Sequence, residues 1–214
     1  MLPAAKPVVM YGQTEGTARL SYLPAEDVDR KPGSIGRGIP GVTLAVLDKE
    51  GRQVAPGETG EIVAAGENIM RGYWQDPAET AKVIDEQGRL WTGDLARVDE
   101  EGYLWVVGRE KDMIKSGAFR INPKEIEDIV QELEGVLACA VVGVSDELLG
   151  EKMVVCLVPG PAAVLDEAAV LGHVKRRLPH WKQPQAARFF EELPRTSSGK
   201  IRKHLLQAQL EAER

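Results

Sequence analysis

Short apolar segments, broken at regular intervals by glycine and proline, fill the first half of the chain. This pattern is typical of β-strands joined by tight turns. Strands are predicted at Gly41–Leu47 and Gly60–Ala65, and Leu95–Asp99 is predicted to pair with Tyr103–Val107 across the turn at Glu100–Gly102. The spacing of the turns favours a small β-barrel-like subdomain.

In the second half, apolar positions recur at helical spacing. Asn122, Pro123 and Glu125 follow the order of an N-cap, a first helical residue and an acid in the first turn. The apolar face of the predicted helix comprises Ile126, Ile129, Val130 and Leu133. Gly135 is expected to end it.

The rest of the second half alternates between strand and helix patterns. The predicted elements are two strands, a helix, a short strand and a final helix, at Leu137–Val144, Lys152–Val158, Asp166–Leu178, Arg188–Phe190 and Ile201–Leu210. Leu171, Val174 and Leu178 are expected on one face of the first of these helices.

The first half therefore has a pattern of strands and turns, and the second half a pattern of mixed helices and strands. The change occurs near Gly108–Asp112. We predict an α+β fold with a small β-barrel-like subdomain followed by a compact α+β C-terminal domain. The predicted domains are residues 1–107 and 113–214, joined by residues 108–112.

Composition fits an ordinary soluble protein, because 43% of the 214 residues are hydrophobic and 28% are charged. The net charge of −6 argues against a nucleic-acid binder. Cys139 and Cys156 lie in apolar runs, and neither Cys nor His has the spacing of a metal site. We expect a cytoplasmic protein, since neither a secretory leader nor an apolar run of about 20 residues is present.

The segment Lys175–Lys203 is strongly basic, with nine lysines and arginines against Glu191 and Glu192. Such a run is either a solvated face or a landing site for an anionic ligand. Within it, Pro194–Lys203 is a Ser/Thr/Gly loop that carries Lys200 and leads into the last helix. Glycine allows close backbone approach and the ammonium offers three donors, so this loop can present a mobile charge to an anionic centre.

Three further motifs accompany the lysine loop in a fixed order: Tyr11–Glu15, Trp91–Asp94 and Gly108–Asp112. Together they resemble the adenylate-forming family of acyl-CoA synthetases, nonribosomal adenylation domains and luciferases. The similarity extends over essentially all 214 residues. The stretches Gly60–Gly66 and Gly72–Trp74 also match the family and are interpreted as structural.

The resemblance implies a site that uses ATP and Mg2+. It assigns the nucleotide to Tyr11, Gly12, Asp94 and Arg109. Asp94 is implied to accept both ribose hydroxyls, with Arg109 nearby and Tyr11 near the adenine. Thr14 is implied to contact a phosphate and Glu15 to bind Mg2+, which suits a hard cation that prefers oxygen ligands. Lys200 is implied to serve adenylation.

The resemblance also implies a moving C-terminal domain, with Lys111 as the hinge residue. Lys115, Gly117, Ala118 and Arg120 are implied to lie on a loop that lines the CoA path in the second half-reaction. Many relatives carry two glycines where this chain has Gly117 and Ala118. A methyl group at Ala118 could narrow that path.

The resemblance implies part of an acyl-CoA synthetase that activates a small-molecule carboxylic acid with ATP and transfers the acyl group to CoA. A carrier-protein-loading adenylation domain and a non-catalytic fragment are the alternatives. The family's Gly/Ser/Thr-rich phosphate loop does not occur in the 214 residues. We therefore expect a truncated chain, a gene remnant or one piece of a split enzyme, inactive on its own.

Overall fold

The computed structural model describes residues 5–161 and 163–213. The chain divides between Lys111 and Asp112 into two compact units. This division lies inside the segment 108–112 predicted to connect the two domains. The α+β fold class is confirmed.

The first unit is built from two antiparallel sheets. A three-stranded sheet contains β1 to β3, and a four-stranded sheet contains β4 to β7 in chain order. Their bounds are Val9–Tyr11, Ser21–Leu23, Arg37–Gly38, Val42–Leu47, Thr59–Gly66, Leu90–Val98 and Leu104–Arg109 for β1 to β7. The predicted strands and the hairpin are confirmed. Within the described residues the strands form open sheets, not a closed barrel.

One irregularity interrupts the pairing of β5 with β6. Glu61 lies opposite Leu95 and Val63 lies opposite Trp91. The three residues Thr92–Asp94 of β6 therefore face Ile62 alone. Such a bulge bends a strand and changes the direction of its side chains. It lies beside the buried core of this sheet, which includes Ile62.

The second unit contains one sheet with helices on both faces. Its strands follow the order β10-β11-β8-β9, and β12 pairs in parallel with β11. Strands β8 to β12 span Ile114–Ser116, Phe119–Ile121, Val136–Asp146, Gly150–Pro159 and Ala186–Phe189. Helices α2 to α4 span Pro123–Gln131, Glu167–Lys175 and Lys203–Ala212, after the short helix α1 at Pro77–Val83 in the first unit. Residues of α2 and α3 pack in one core cluster, and residues of α4 in another.

The starts of α2 and α3 follow the sequence prediction. The Asn122 side chain accepts a hydrogen bond from the backbone of Lys124 at 3.0 Å, and Asp166 accepts one from Ala169 at 2.7 Å. Helix α4 begins two residues later than predicted because Ile201 instead forms a bridge with Arg195. No helix in residues 5–161 or 163–213 has the length and apolar character needed to cross a membrane.

Candidate active site

Asp94 is the centre of a polar cluster in the first unit. It lies at the end of the β6 bulge, directly across from Arg109 on β7. The Tyr11 hydroxyl donates a hydrogen bond of 2.7 Å to Oδ2 of Asp94. Nε of Arg109 lies 2.8 Å from Oδ1 and forms an ion pair. The structure thus brings three of the predicted nucleotide-binding residues together.

Burial fixes the protonation of the tyrosine in this cluster. Burial, and then the charge of Asp94, raises the pKa of Tyr11 far above its ordinary value. Its phenol therefore stays a donor across the neutral range. Each carboxylate oxygen has two lone pairs, so the contacts from Tyr11 and Arg109 leave acceptor positions on Asp94 for a ligand's hydroxyl groups.

Glu61 supports the same bulge, although sequence reasoning assigned it only to a structural stretch. Its Oε1 accepts a hydrogen bond of 2.8 Å from the backbone N–H of Gly93. Gly93 has φ of +74°, a conformation that favours glycine. Burial raises the pKa of the half-buried Glu61 carboxyl. The Gly60–Glu61 pair is the only feature of the sequence that draws attention to Glu61. It does not reveal that the hydrogen-bond partner is Gly93 in β6.

Glu15 lies in a 3-10 turn at Thr14–Gly16 that follows β1. The turn requires glycine at position 12, because a Cβ there would lie 2.2 Å from the carbonyl oxygen of Ala18. The Asn68 side chain donates to the carbonyl oxygens of Gly16 and Arg19 at 2.9 and 3.0 Å. A loop distant in sequence therefore holds the turn that carries Thr14 and Glu15.

Tyr73 is a second residue whose role the sequence did not reveal. Its hydroxyl donates a hydrogen bond of 2.8 Å to Oε1 of Glu15. The backbone N–H of Met70 also donates to the Glu15 carbonyl oxygen at 2.8 Å. These contacts fix both the main chain and one carboxylate oxygen of Glu15, and leave Oε2 facing no protein donor in the described residues.

The surroundings of Glu15 fit a magnesium ion held mainly by other ligands. Among the residues that the structure describes, no three His, Cys, Asp or Glu side chains come close enough to hold a metal ion. Mg2+ commonly keeps several waters and binds through one or two carboxylates together with substrate phosphates. A single carboxylate with one oxygen available is consistent with that arrangement.

Lys200 lies in the second unit on a closed loop. Its backbone N–H donates to Oγ1 of Thr196 at 3.1 Å, and its carbonyl oxygen accepts from the Thr196 N–H at 2.8 Å. Gly199 has φ of +84° and turns the chain back. The bridge between Arg195 and Ile201 closes the base of the loop. The Lys200 side chain is exposed, without a polar partner in the part of the second unit that is described.

The predicted CoA-path loop is the hairpin of β8 and β9. Gly117 has φ of +60° and its N–H donates to the Leu149 carbonyl oxygen at 2.7 Å. The backbone of Ala118 does not enter the left-handed region, so the turn itself does not require a glycine there. Lys115 and Arg120 form an opposed, exposed pair on the two strands.

Lys111 is exposed within the 3-10 turn Glu110–Asp112, next to the division between the units. Its assignment as the hinge residue stays a prediction.

The basic segment Lys175–Lys203 is partly neutralised. Four of its cations form ion pairs with acids outside the segment, and the pairs are Arg177–Glu132, Lys182–Glu125, Arg188–Glu167 and Lys203–Glu127. The other five cations of the segment have no such ion pair among the described residues, so the sequence overstates the charge of this surface. They are Lys175, Arg176, Arg195, Lys200 and Arg202.

Comparison with known proteins relates both units to one family. Residues 2–74 match the AMP-binding enzyme family, and residues 125–200 match the AMP-binding enzyme C-terminal domain. Indoleacetate–CoA ligase from Aromatoleum aromaticum is 42% identical over 196 residues, which are 92% of this chain and 38% of the relative. Long-chain-fatty-acid–CoA ligase from Salmonella typhimurium is 40% identical over 191 residues, covering 89% of this chain and 34% of the relative.

Solved structures give the same result. ATP-bound MatB from Rhodopseudomonas palustris matches with a TM-score of 0.87 and 36% identity, over 95% of this chain and 40% of that protein. The o-succinylbenzoate CoA synthetase MenE from Bacillus subtilis, in complex with its acyl-adenylate OSB-AMP, matches with a TM-score of 0.86 and 29% identity, over 94% and 40%. The chain thus spans about two fifths of these structures, and it belongs to the adenylate-forming, AMP-binding enzyme family.

Proposed function

We propose that this chain is part of an acyl-CoA synthetase, an AMP-forming acid–thiol ligase. In the first half-reaction a carboxylate attacks the α-phosphate of ATP, giving an acyl-adenylate and pyrophosphate. In the second, the thiol of CoA displaces AMP and forms the thioester. The observation that carries the proposal is the Asp94 carboxylate, which Tyr11 and Arg109 hold with acceptor positions left open.

A fixed carboxylate suits the ribose of ATP, because its two oxygens can accept from two neighbouring hydroxyl groups. Tyr11 and Arg109 reduce its freedom before the nucleotide arrives. Such preorganisation lowers the entropic cost of binding. Asp94 therefore orients the nucleotide, and the Tyr11 ring lies near the base.

Glu15 would hold Mg2+, and Thr14 would donate to a phosphate from the same turn. When bound, the ion supplies positive charge that offsets the phosphates and the developing pyrophosphate. Residues of this chain would position Glu15 for that role. Asn68 donates to the carbonyl oxygen of Gly16 in the turn, and Tyr73 donates to the Glu15 carboxylate.

Lys200 would place its ammonium beside the α-phosphate and the attacking carboxylate during adenylation. A fixed cation there stabilises negative charge that develops in the transition state. For thioester formation the lysine must leave and a thiol must enter. Lys111 would serve as the hinge for that change, and the Gly117–Ala118 hairpin would line the thiol path.

The acceptor is proposed to be CoA and not a carrier protein. Relatives at 39–42% identity are CoA ligases for acids as different as indoleacetate and sulfoacetate. The acid itself is a small-molecule carboxylate.

The test is a chimera in which this chain replaces the matching region, 38% of the length, of the 42% identical indoleacetate–CoA ligase. We expect it to form acyl-adenylate and acyl-CoA from indoleacetate, ATP and CoA. Asp94→Ala should raise KM for ATP, and Asp29→Ala is the matched control at an acid outside the cluster. A well-folded chimera that forms neither product would contradict the proposal. Thioester formation with a carrier protein but not with CoA would favour the alternative acceptor.

A further inference from the structure

The bulge in β6 leaves backbone groups without their ladder partners. Thr92, Gly93 and Asp94 face Ile62 alone, so regular pairing cannot satisfy all of their N–H and C=O groups. Unpaired backbone groups away from water cost free energy comparable to a lost hydrogen bond. Something other than the ladder must hold this segment, which ends at the residue proposed to bind ribose.

Three side chains replace the missing ladder bonds, and one of them is Arg109, whose Nη2 donates to the Thr92 carbonyl oxygen at 3.2 Å. Oγ1 of Thr92 donates to the Ile62 carbonyl oxygen at 2.8 Å and accepts from the Asp94 N–H at 3.2 Å. Oε1 of Glu61 accepts from the Gly93 N–H at 2.8 Å. The amides of both Gly93 and Asp94 are therefore anchored by side chains within the bulge.

The electrostatic surroundings of Glu61 are unfavourable for a carboxylate with no special role. It is half-buried, and the nearby charges of Glu110 and Asp94 are also negative. Among the described residues, the only hydrogen bond of the Glu61 carboxylate is the one from the Gly93 N–H, whereas Lys49 pairs with Glu110. The hydrogen bond to the Gly93 N–H is therefore the best explanation for a carboxylate at this position.

We propose that Glu61 is a positioning residue for Asp94: by accepting from the Gly93 amide, it fixes the bulge that aims the Asp94 carboxylate at the ribose. This role rests on the proposed function, since it takes Asp94 to bind the two ribose hydroxyls. Hydrogen bonds to an ionised acceptor are about twice as strong as neutral ones. The charged carboxylate is thus a better anchor than an amide, although it is repelled by its neighbours.

Glu58 provides a matched control three residues earlier in the chain. Its Oε2 also accepts a backbone N–H, that of Ala55, at 3.0 Å. It is exposed, and its side-chain hydrogen bond goes to Ala55 and not to the bulge. Glu58→Ala therefore removes the same kind of bond without touching Asp94.

The activity test uses the chimera with ATP and with 2′-deoxy-ATP. Glu61→Ala should lower kcat/KM for ATP about 10-fold to 100-fold, the range for losing a bond to a charged group. The loss should be much smaller with 2′-deoxy-ATP, because one of the hydroxyls that Asp94 binds is already missing. Glu61→Gln should recover part of the loss. Glu58→Ala should leave kcat/KM unchanged with either nucleotide. Equal losses on both nucleotides would overturn the proposal.

A second measurement uses the 214-residue chain itself and does not depend on activity. Amide hydrogen exchange at Gly93 and Asp94, followed by NMR, should be about 10-fold faster or more in Glu61→Ala. Glu58→Ala should leave both amides unchanged. Unchanged exchange in Glu61→Ala would overturn the proposal. An inactive chimera with accelerated exchange would instead count against the proposed function and leave the positioning of the bulge supported.

Discussion

The hydroxyl of Tyr73 donates a hydrogen bond of 2.8 Å to Oε1 of Glu15, which lies 58 residues earlier in the chain. The bond raises the pKa of Tyr73, because the neighbouring carboxylate favours the protonated phenol. It also engages one oxygen of Glu15 and leaves the other for the proposed magnesium ion. Tyr73 thus orients the Glu15 carboxylate, although the sequence analysis assigns it only to a structural stretch.

Tyr73→Phe tests this arrangement. Removing the hydroxyl should free the Glu15 side chain and raise the Mg2+ concentration needed for half-maximal adenylation about 2-fold to 10-fold, as expected for one hydrogen bond. The measurement is a magnesium titration of pyrophosphate release by the chimera, paired with Mn2+ binding in the presence of ATP followed by EPR. Tyr22→Phe is the control, since Tyr22 is 40% exposed and Tyr73 is 38% exposed. An unchanged metal requirement would contradict the role given to Tyr73.

Lys200→Ala is expected to damage adenylation far more than thioester formation. Loss of one preorganised charged donor costs on the order of 10²–10³ in rate. The two half-reactions are measured separately in the chimera, by pyrophosphate exchange and by CoA attack on a supplied acyl-adenylate. Lys175→Ala, at another exposed lysine of the same unit, should affect neither. Equal losses in both half-reactions would assign Lys200 a structural role.

Lys111→Pro is expected to have the opposite effect. Proline fixes φ near −65° and stiffens the turn at which the hinge is proposed. Adenylation should persist while CoA attack on the acyl-adenylate slows strongly. Lys111→Ala separates loss of the charge from loss of backbone freedom, and should retain both half-reactions. If Lys111→Pro also retains both, the hinge lies elsewhere.

The two cysteines should make stability depend on pH at the alkaline end. Burial raises the pKa of Cys139 to about 11 and that of Cys156 to about 12. Above the ordinary thiol pKa the unfolded chain loses protons that the folded chain keeps, so the free energy of unfolding should fall as pH rises from about 9. Urea titrations at pH 8 and pH 10 measure this fall. In Cys139→Ala/Cys156→Ala the fall should be smaller, and an equal fall would contradict the prediction.

Local signals were sufficient where neighbouring residues fix the structure. Asn122 and Pro123 predicted the start of α2 because the cap side chain accepts from the backbone N–H of Lys124, only two residues later. The same signal occurs at Asp76 and Pro77, where no helix was predicted, and there Asp76 caps α1 by accepting from the Glu79 N–H. That helix has only seven residues, none of which is buried, so its sequence carries no apolar face from which a helix could be predicted.

The polar supports of the site could not be predicted in this way. Tyr73 reaches Glu15, and Glu61 reaches Gly93, only because the chain folds back. The bulge that defines the position of Asp94 depends on how β5 and β6 pair, and pairing register has no signature within either strand. Resemblance to a family predicts roles for Asp94 and Glu15, but it does not point to the residues that hold them.

The closed loop around Lys200 limits how its ammonium can travel. Thr196 bonds both the N–H and the carbonyl oxygen of Lys200, and Lys203 anchors the start of α4 to Glu127 at 2.6 Å. Local reordering would have to break these bonds, and swinging the four-carbon stem moves the charge only by its own length. The loop is therefore expected to move together with the rest of the second unit. A longer withdrawal of this amine from a reaction centre has to be carried by the body of residues 112–214 as a whole.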